Sequence, residues 1–277
     1  MQLPLSRILA IPFVIMALAG LYMAWEVDAN FSALLVPGVL GLAVVYTFSP
    51  QIDWWWSKRN PPDVAEPIKL MLEKGCKFYQ ALNPDDRRTF RQRVAMFIMG
   101  TEFMPQGSET VPEDLKAMIA ASAVTLTFGQ EQLLFPKFEN VVLYPRPFPT
   151  PQFPTKFHAS EIFEEDGVVL FSAEQLAHGF MQSDLYYHIG LHEYAKIFQL
   201  AYPNEPWPDL DESAWPRLEQ ISGFSREAIV RWINLDPNDI PPLPVSISHF
   251  FCFPERFKEV WPELFDLYHL IFKTPTV

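Results

Sequence analysis

Hydrophobic and polar positions divide this chain near residue 60. Before that point, Ile8 to Trp25 and Phe31 to Phe48 each run 18 residues without a charge. As helices they span roughly 27 Å each, close to the ~30 Å hydrocarbon core of a bilayer. Glu26–Asn30 leaves room only for a tight turn, so the pattern predicts a helical hairpin with spans at about 8–25 and 31–48. Neither block keeps a polar face for water, which argues against a soluble hairpin. The second block, directly after the first, argues against a cleaved secretory signal ending at Ala17-Leu18-Ala19. Arg7 and Lys58-Arg59 flank the outer ends, while Glu26 and Asp28 lie in the turn. The positive-inside rule then puts both termini in the cytoplasm. Trp25 and Trp54-Trp55-Trp56 fall at the depth of interfacial anchors.

Asn60-Pro61-Pro62 marks a boundary between a two-helix anchor (1–60) and a second domain (61–277). Pro67 to Ala81 is apolar at helical period. Asn83-Pro84-Asp85-Asp86 has the form of a helix cap, and Pro112-Glu113-Asp114 starts another helix that ends by Gly129. Val141–Tyr144 and Val168–Phe171 are short β-branched runs, expected as strands of a small sheet. Between them Pro145, Pro147, Pro149, Pro151 and Pro154 alternate with Phe148 and Phe153. That segment is expected as a rigid extended loop, or as a polyproline-type edge for a partner. Leu185–Leu200 is predicted as a helix, Arg226–Asn234 as a short one, and His249–Phe272 as an aromatic helical closure. The fold class expected is α+β, mostly helical, with a small sheet.

Charge sharpens the division. The first 60 residues carry three charges of each sign, so the whole net charge of -12 belongs to the second domain. An acidic domain repels phosphate backbones, and no nucleic-acid partner is expected. Cys76 and Cys252 stand far apart with no CxxC spacing, so neither a disulfide framework nor a zinc ribbon is indicated. No glycine-rich phosphate loop, dinucleotide fingerprint or nucleophile elbow occurs.

The chemistry-bearing run is His192-Glu193-Tyr194-Ala195-Lys196. It is an HExxH motif with Lys196 in place of the second histidine. In the full motif, two imidazoles one helical turn apart bind one zinc, and the Glu activates the metal-bound water. His188 lies four residues before His192 and would share its helical face, so a shifted site with His249 or His158 as third ligand is an alternative. His178 and His269 offer nothing specific. Asp209, Asp211 and Glu212 form an acidic run better read as a solvated loop than a cation site. Tyr186-Tyr187, Trp207, Trp215 and Trp232 are expected in the core or at an interface.

The surroundings place the motif in a family. Phe78–Leu82, Ala120–Ala123 with Leu126–Gly129, Val141–Pro145, Gly167–Ser172, Leu191–Ala195 and Phe250–Pro254 with Trp261–Leu264 occur in that order. The series resembles the Mlc titration factor A-like peptidases, a zinc-dependent, glucose-regulated bacterial metallopeptidase family, over roughly residues 68–273. The resemblance implies a zincin-like domain. It implies His192 as first ligand, Glu193 as base, Lys196 at the second-ligand position and Ser248 at the third, where the family has Glu. With two of three zinc ligands replaced, no cofactor is expected, or zinc if the site is active.

The expected function is thus a membrane-anchored peptidase relative that no longer cuts and acts as a binding or regulatory protein. A protein or peptide would occupy the former substrate cleft. The membrane would be the bacterial inner membrane, with the C-terminal domain in the cytoplasm. Two alternatives stand beside it: an active zinc peptidase using His188 and His192, and a structural membrane-associated scaffold.

Overall fold

A computed structural model describes residues 4–275. The chain forms two compact units, one ending at Pro62 and one beginning at Asp63. In the first, α1 (Leu5–Glu26) turns through a short 3-10 segment at Ala29–Leu34 into α2 (Leu35–Thr47), then α3 (Ser49–Arg59). The two apolar stretches, Leu5–Glu26 and Ala29–Thr47, are long and apolar enough to cross a membrane. Their side chains point outward, with Ile15 61% and Leu18 60% exposed. Small residues let α1 and α2 touch: a Cβ on Gly41 would fall 2.1 Å from the Phe13 ring. The Trp54–Trp56 run, expected only as an anchor, proves to be part of a helix. Its Asp53 carboxylate accepts from the Ser6 N–H at 2.8 Å and Oγ at 2.7 Å.

The second unit is mostly helical around a small sheet. It begins with α4 (Glu66–Gly75), α5 (Lys77–Ala81) and α6 (Pro84–Met99), then β1 (Glu102–Pro105), α7 (Glu113–Thr127) and β2 (Asn140–Tyr144). An antiparallel pair follows, β3 (Ser160–Phe163) and β4 (Val168–Ser172), then α8 (Ala173–Met181) and α9 (Ile189–Ala201). The chain closes with α10 (Trp215–Ser222), α11 (Arg226–Ile233), α12 (Pro242–Cys252), α13 (Pro254–Val260) and α14 (Pro262–Phe272). The sheet order is β1-β2-β4-β3. β1, β2 and β4 are parallel, and β3 lies antiparallel at the edge.

Local sequence accounts for most boundaries. Asn83 caps α6 by accepting from the Asp86 N–H, as its pattern predicts. The helix expected over 67–81 is instead two, because Cys76 is extended (φ -98, ψ 98). At that break Gly75 admits the Phe180 ring, which a Cβ would meet at 2.9 Å. The aromatic closure is three helices rather than one. Pro254 and Pro262 each stand in the first turn of a new helix and cannot continue the preceding one. The proline-rich loop is held by its own contacts: Phe148 and His158 exchange backbone hydrogen bonds at 3.1 and 3.0 Å. Phe148 is buried, stacked on Tyr144 at 4.2 Å.

α7 runs through the middle of the core, buried from Ala117 to Thr127. Its polar residues are tolerated there because Ser122, Thr125 and Thr127 each donate to the carbonyl four residues back. α9 packs between α7, α12 and β3. The His–Glu pair of α9 is therefore inside the domain.

Candidate active site

α9 starts at Ile189, four residues later than the sequence pattern suggests. The chain is pinned just before it, because a Cβ on Gly179 would lie 2.4 Å from the Tyr187 carbonyl. Gly190 brings the first turn of α9 against α7, its would-be Cβ 2.6 Å from Ser122 Oγ. His188 is consequently the N-cap, not a helical residue. Its Nδ1 accepts from the Leu191 N–H at 3.2 Å, and its ring packs edge-on against Phe180. The expectation that His188 and His192 share a helical face fails for this reason: the helix begins between them.

His192 and Glu193 lie in the first turns of α9, 2% and 1% exposed. His192 Nδ1 is 2.7 Å from Tyr187 Oη. Burial pushes the imidazole down to about 4, against the Glu193 charge, which favours protonation, and with the Lys196 charge adding to burial. Glu193 is held at both oxygens. Oε1 accepts from Ser160 Oγ at 2.8 Å, and Oε2 accepts from Lys196 Nζ at 2.8 Å. Burial alone would raise this carboxyl. The Lys196 charge, then His192 and the two donors outweigh burial and hold it below the usual carboxylate value. The result is a buried ion pair of Glu193 and Lys196 that is neutral as a unit. Lys196, at 24% exposed, is the member that reaches the surface.

Ser248 and His249 on α12 complete the cluster, both 1% exposed. Ser248 Oγ and both ring nitrogens of His249 are buried without a hydrogen-bond partner. Burial, with His192 adding to it, pushes His249 down to about 3. The ring is enclosed by Tyr187, Phe224 and Phe253. The other sequence candidates are engaged elsewhere. His158 is 3.0 Å from Glu161 Oε2 and lies between Phe148 and Phe153. His178 stacks on Tyr186, and His269 pairs with Thr274. Asp211 caps the turn at Ser213, and Glu212 pairs with Arg226. Trp215 is buried, and Trp232 packs against Tyr186, as expected of core or interface residues.

Two members of the cluster escaped the sequence reading. Ser160 sits on β3, which has no β-branched run to announce it. Tyr187 was set aside as packing, and its phenol turns out to face His192.

An antiparallel edge strand beside a buried His–Glu helix, in a mostly helical domain with a small mixed sheet, is the arrangement of a zincin-like metallopeptidase. The model of the glucose-regulated metallo-peptidase M90 family matches residues 52–200, and the chain belongs to that family. Among curated proteins no match is found. The matched segment includes the sheet and nearly all of α9, while α10 to α14 lie beyond it.

The family implies zinc, and the donor set tests that implication. A catalytic zinc takes about three protein ligands and an open position. Here an ammonium stands one helical turn from His192, and both Glu193 oxygens are already engaged, by Ser160 and Lys196. Among the described residues no group of three or more His, Cys, Asp or Glu side chains is arranged to hold a metal ion. The residues present do not fit a catalytic zinc.

Proposed function

We propose that this protein is a membrane-anchored member of the metallopeptidase family in which the peptidase site has become a metal-free ion-pair pocket, and that it acts by binding. The observation that carries this reading is the 2.8 Å contact of Lys196 Nζ with Glu193 Oε2. A base that must take a proton from water is instead neutralised by a side-chain ammonium. The partner is a protein or peptide engaging the former substrate cleft, which it meets at Lys196, the exposed end of the pair. The apolar hairpin holds the domain at the bacterial inner membrane. Its acidic turn faces outward and the domain lies on the cytoplasmic side, following the placement of Arg7, Lys58 and Arg59.

Metal content tests the reading. The full chain, purified in detergent without chelator or histidine tag, should carry zinc well below one per chain, and His192→Ala should leave that value unchanged. Near-stoichiometric zinc that disappears in His192→Ala would overturn the proposal and favour an active peptidase with a rearranged metal site.

A further inference from the structure

The first unit carries a feature that anchoring alone does not require. Asp53 takes both the N–H and the hydroxyl of Ser6, which fastens the middle of α3 to the first turn of α1. Arg7, next to Ser6, is exposed, as are Lys58 and Arg59 at the end of α3. Five and six residues of helix separate those two from Asp53, about 8 Å along the axis. Three cations are thereby gathered at one end of the hairpin. The other end, about 30 Å away along α1, holds Glu26 and Asp28 and no cation.

The cations are also prepared for a ligand. Among the described residues none of the three forms a salt bridge, and Asp53, the one nearby carboxylate in this unit, directs both oxygens to Ser6 rather than to a cation. The Arg59 guanidinium lies 3.9 Å from the Trp55 ring centroid, and Lys58 Nζ lies 5.4 Å from that of Trp54. A guanidinium stacked on an indole loses no N–H donor, because its donors point outward in its own plane. That geometry matches the paired oxygens of a phosphodiester. Trp55 and Trp56 are 50% and 40% exposed, suited to the boundary between headgroup and acyl chain.

We propose that α3, with Arg7, forms a headgroup-binding collar that selects anionic phospholipids. Resting on the membrane-spanning reading of the hairpin, it adds a lipid preference to it. Charge complementarity identifies the ligand: three cations against the single Asp53 carboxylate, beside two apolar spans, leave this end net positive and meet the phosphates of anionic lipid before any other anion.

The test is reconstitution of the full chain into vesicles of phosphatidylcholine alone and of phosphatidylcholine with one quarter phosphatidylglycerol. Flotation is followed by quantifying the lipids that stay with the detergent-extracted protein. Each Lys or Arg near an anionic surface contributes about five-fold in preference. The wild-type protein should float with both vesicles and retain phosphatidylglycerol at least about five-fold above its bulk ratio. That enrichment should fall in high salt. Lys58→Gln/Arg59→Gln should still float and lose most of the enrichment, and Arg59→Lys, which keeps the charge without the stacked fork, should lie between. Retention at the bulk ratio in the wild type, or undiminished enrichment in the double variant, would overturn the collar while leaving the spans intact. Failure to float with either vesicle would overturn the spanning reading, and the collar with it.

Discussion

Replacing Lys196 by Met removes the ammonium from Glu193 and keeps most of the apolar stem. At 2.8 Å and an effective dielectric of about 20, the lost attraction is about 6 kcal/mol. Lys196 keeps part of its hydration because its side chain is 24% exposed, so the net loss falls near the lower end of the range for deleting one partner of a buried pair, about 3 kcal/mol. The pH dependence identifies the cause. In the wild type the Glu193 carboxyl is held below its unfolded value of 4.5. It contributes stability that is present above that value and lost as pH falls through the lower folded one. Without Lys196, burial dominates and raises the carboxyl, so the variant takes up a proton on folding and gains stability as pH falls through the raised value. The gap between wild type and variant should therefore be widest at pH 8 and should narrow toward pH 5. Adding Glu193→Gln, which has no charge to strand, should recover most of the loss and flatten the profile. Urea unfolding of the full chain in detergent, followed by tryptophan fluorescence at pH 5, 6.5 and 8, measures all three. A loss below about 1 kcal/mol at pH 8, as for an exposed pair, with no pH dependence, would refute the buried-pair argument.

His188→Ala should cost about 1–2 kcal/mol through loss of the α9 cap, and His188→Asn, which still offers a capping acceptor, should recover most of it in the same assay. If instead Asn is as damaging as Ala, the cap is not what His188 supplies. Ser160→Ala removes the second donor to Glu193 and should cost about 1.5–3 kcal/mol, as for a hydrogen bond to a buried charge, with a smaller cost when made together with Glu193→Gln. Burial pushes the Cys76 and Cys252 thiols up to about 11 and about 12. Both should resist iodoacetamide at pH 8 in the folded protein and react quickly in urea. Fast alkylation of the native chain would contradict that burial.

What the sequence made legible was whatever local chemistry enforces. The charge-free blocks, the Asn83 cap and the two β-branched strands depend on neighbours in the chain and were found at nearly their true positions. β1 and β3 were not visible, because Glu102–Pro105 and Ser160–Phe163 pair only by virtue of the strands beside them. The start of α9 was missed for a similar reason. Periodicity from Leu185 onward is compatible with helix, and only the close approach of Gly179 to Tyr187 shows that the chain is still turning there. Four residues of boundary error are what placed His188 within the helix, one turn below His192. The His–Glu pair was evident from its motif. The reach of Ser160 and Tyr187 into it was not, since neither lies on a recognisable pattern.

The position of Lys196 accounts for its ion pair with Glu193. It is four residues after His192 and three after Glu193, so on a helix it neighbours both. A histidine there points its imidazole at whatever His192 binds, whereas a lysine, longer and charged, reaches Glu193. On the proposed reading, Ser248 fits the same charge balance. By the resemblance, the family places two carboxylates, the base and the third ligand, around a dication, which is a neutral set. With an ammonium in place of the dication, a second buried carboxylate would leave one negative charge without a partner at a position only 1% exposed, and burial of an unpaired charge is costly. A hydroxyl at 248 removes that charge. In the proposed pocket Lys196 and Ser248 give neutrality together, one by supplying a single positive charge and the other by carrying none. This charge balance is what supports the proposal of a metal-free pocket.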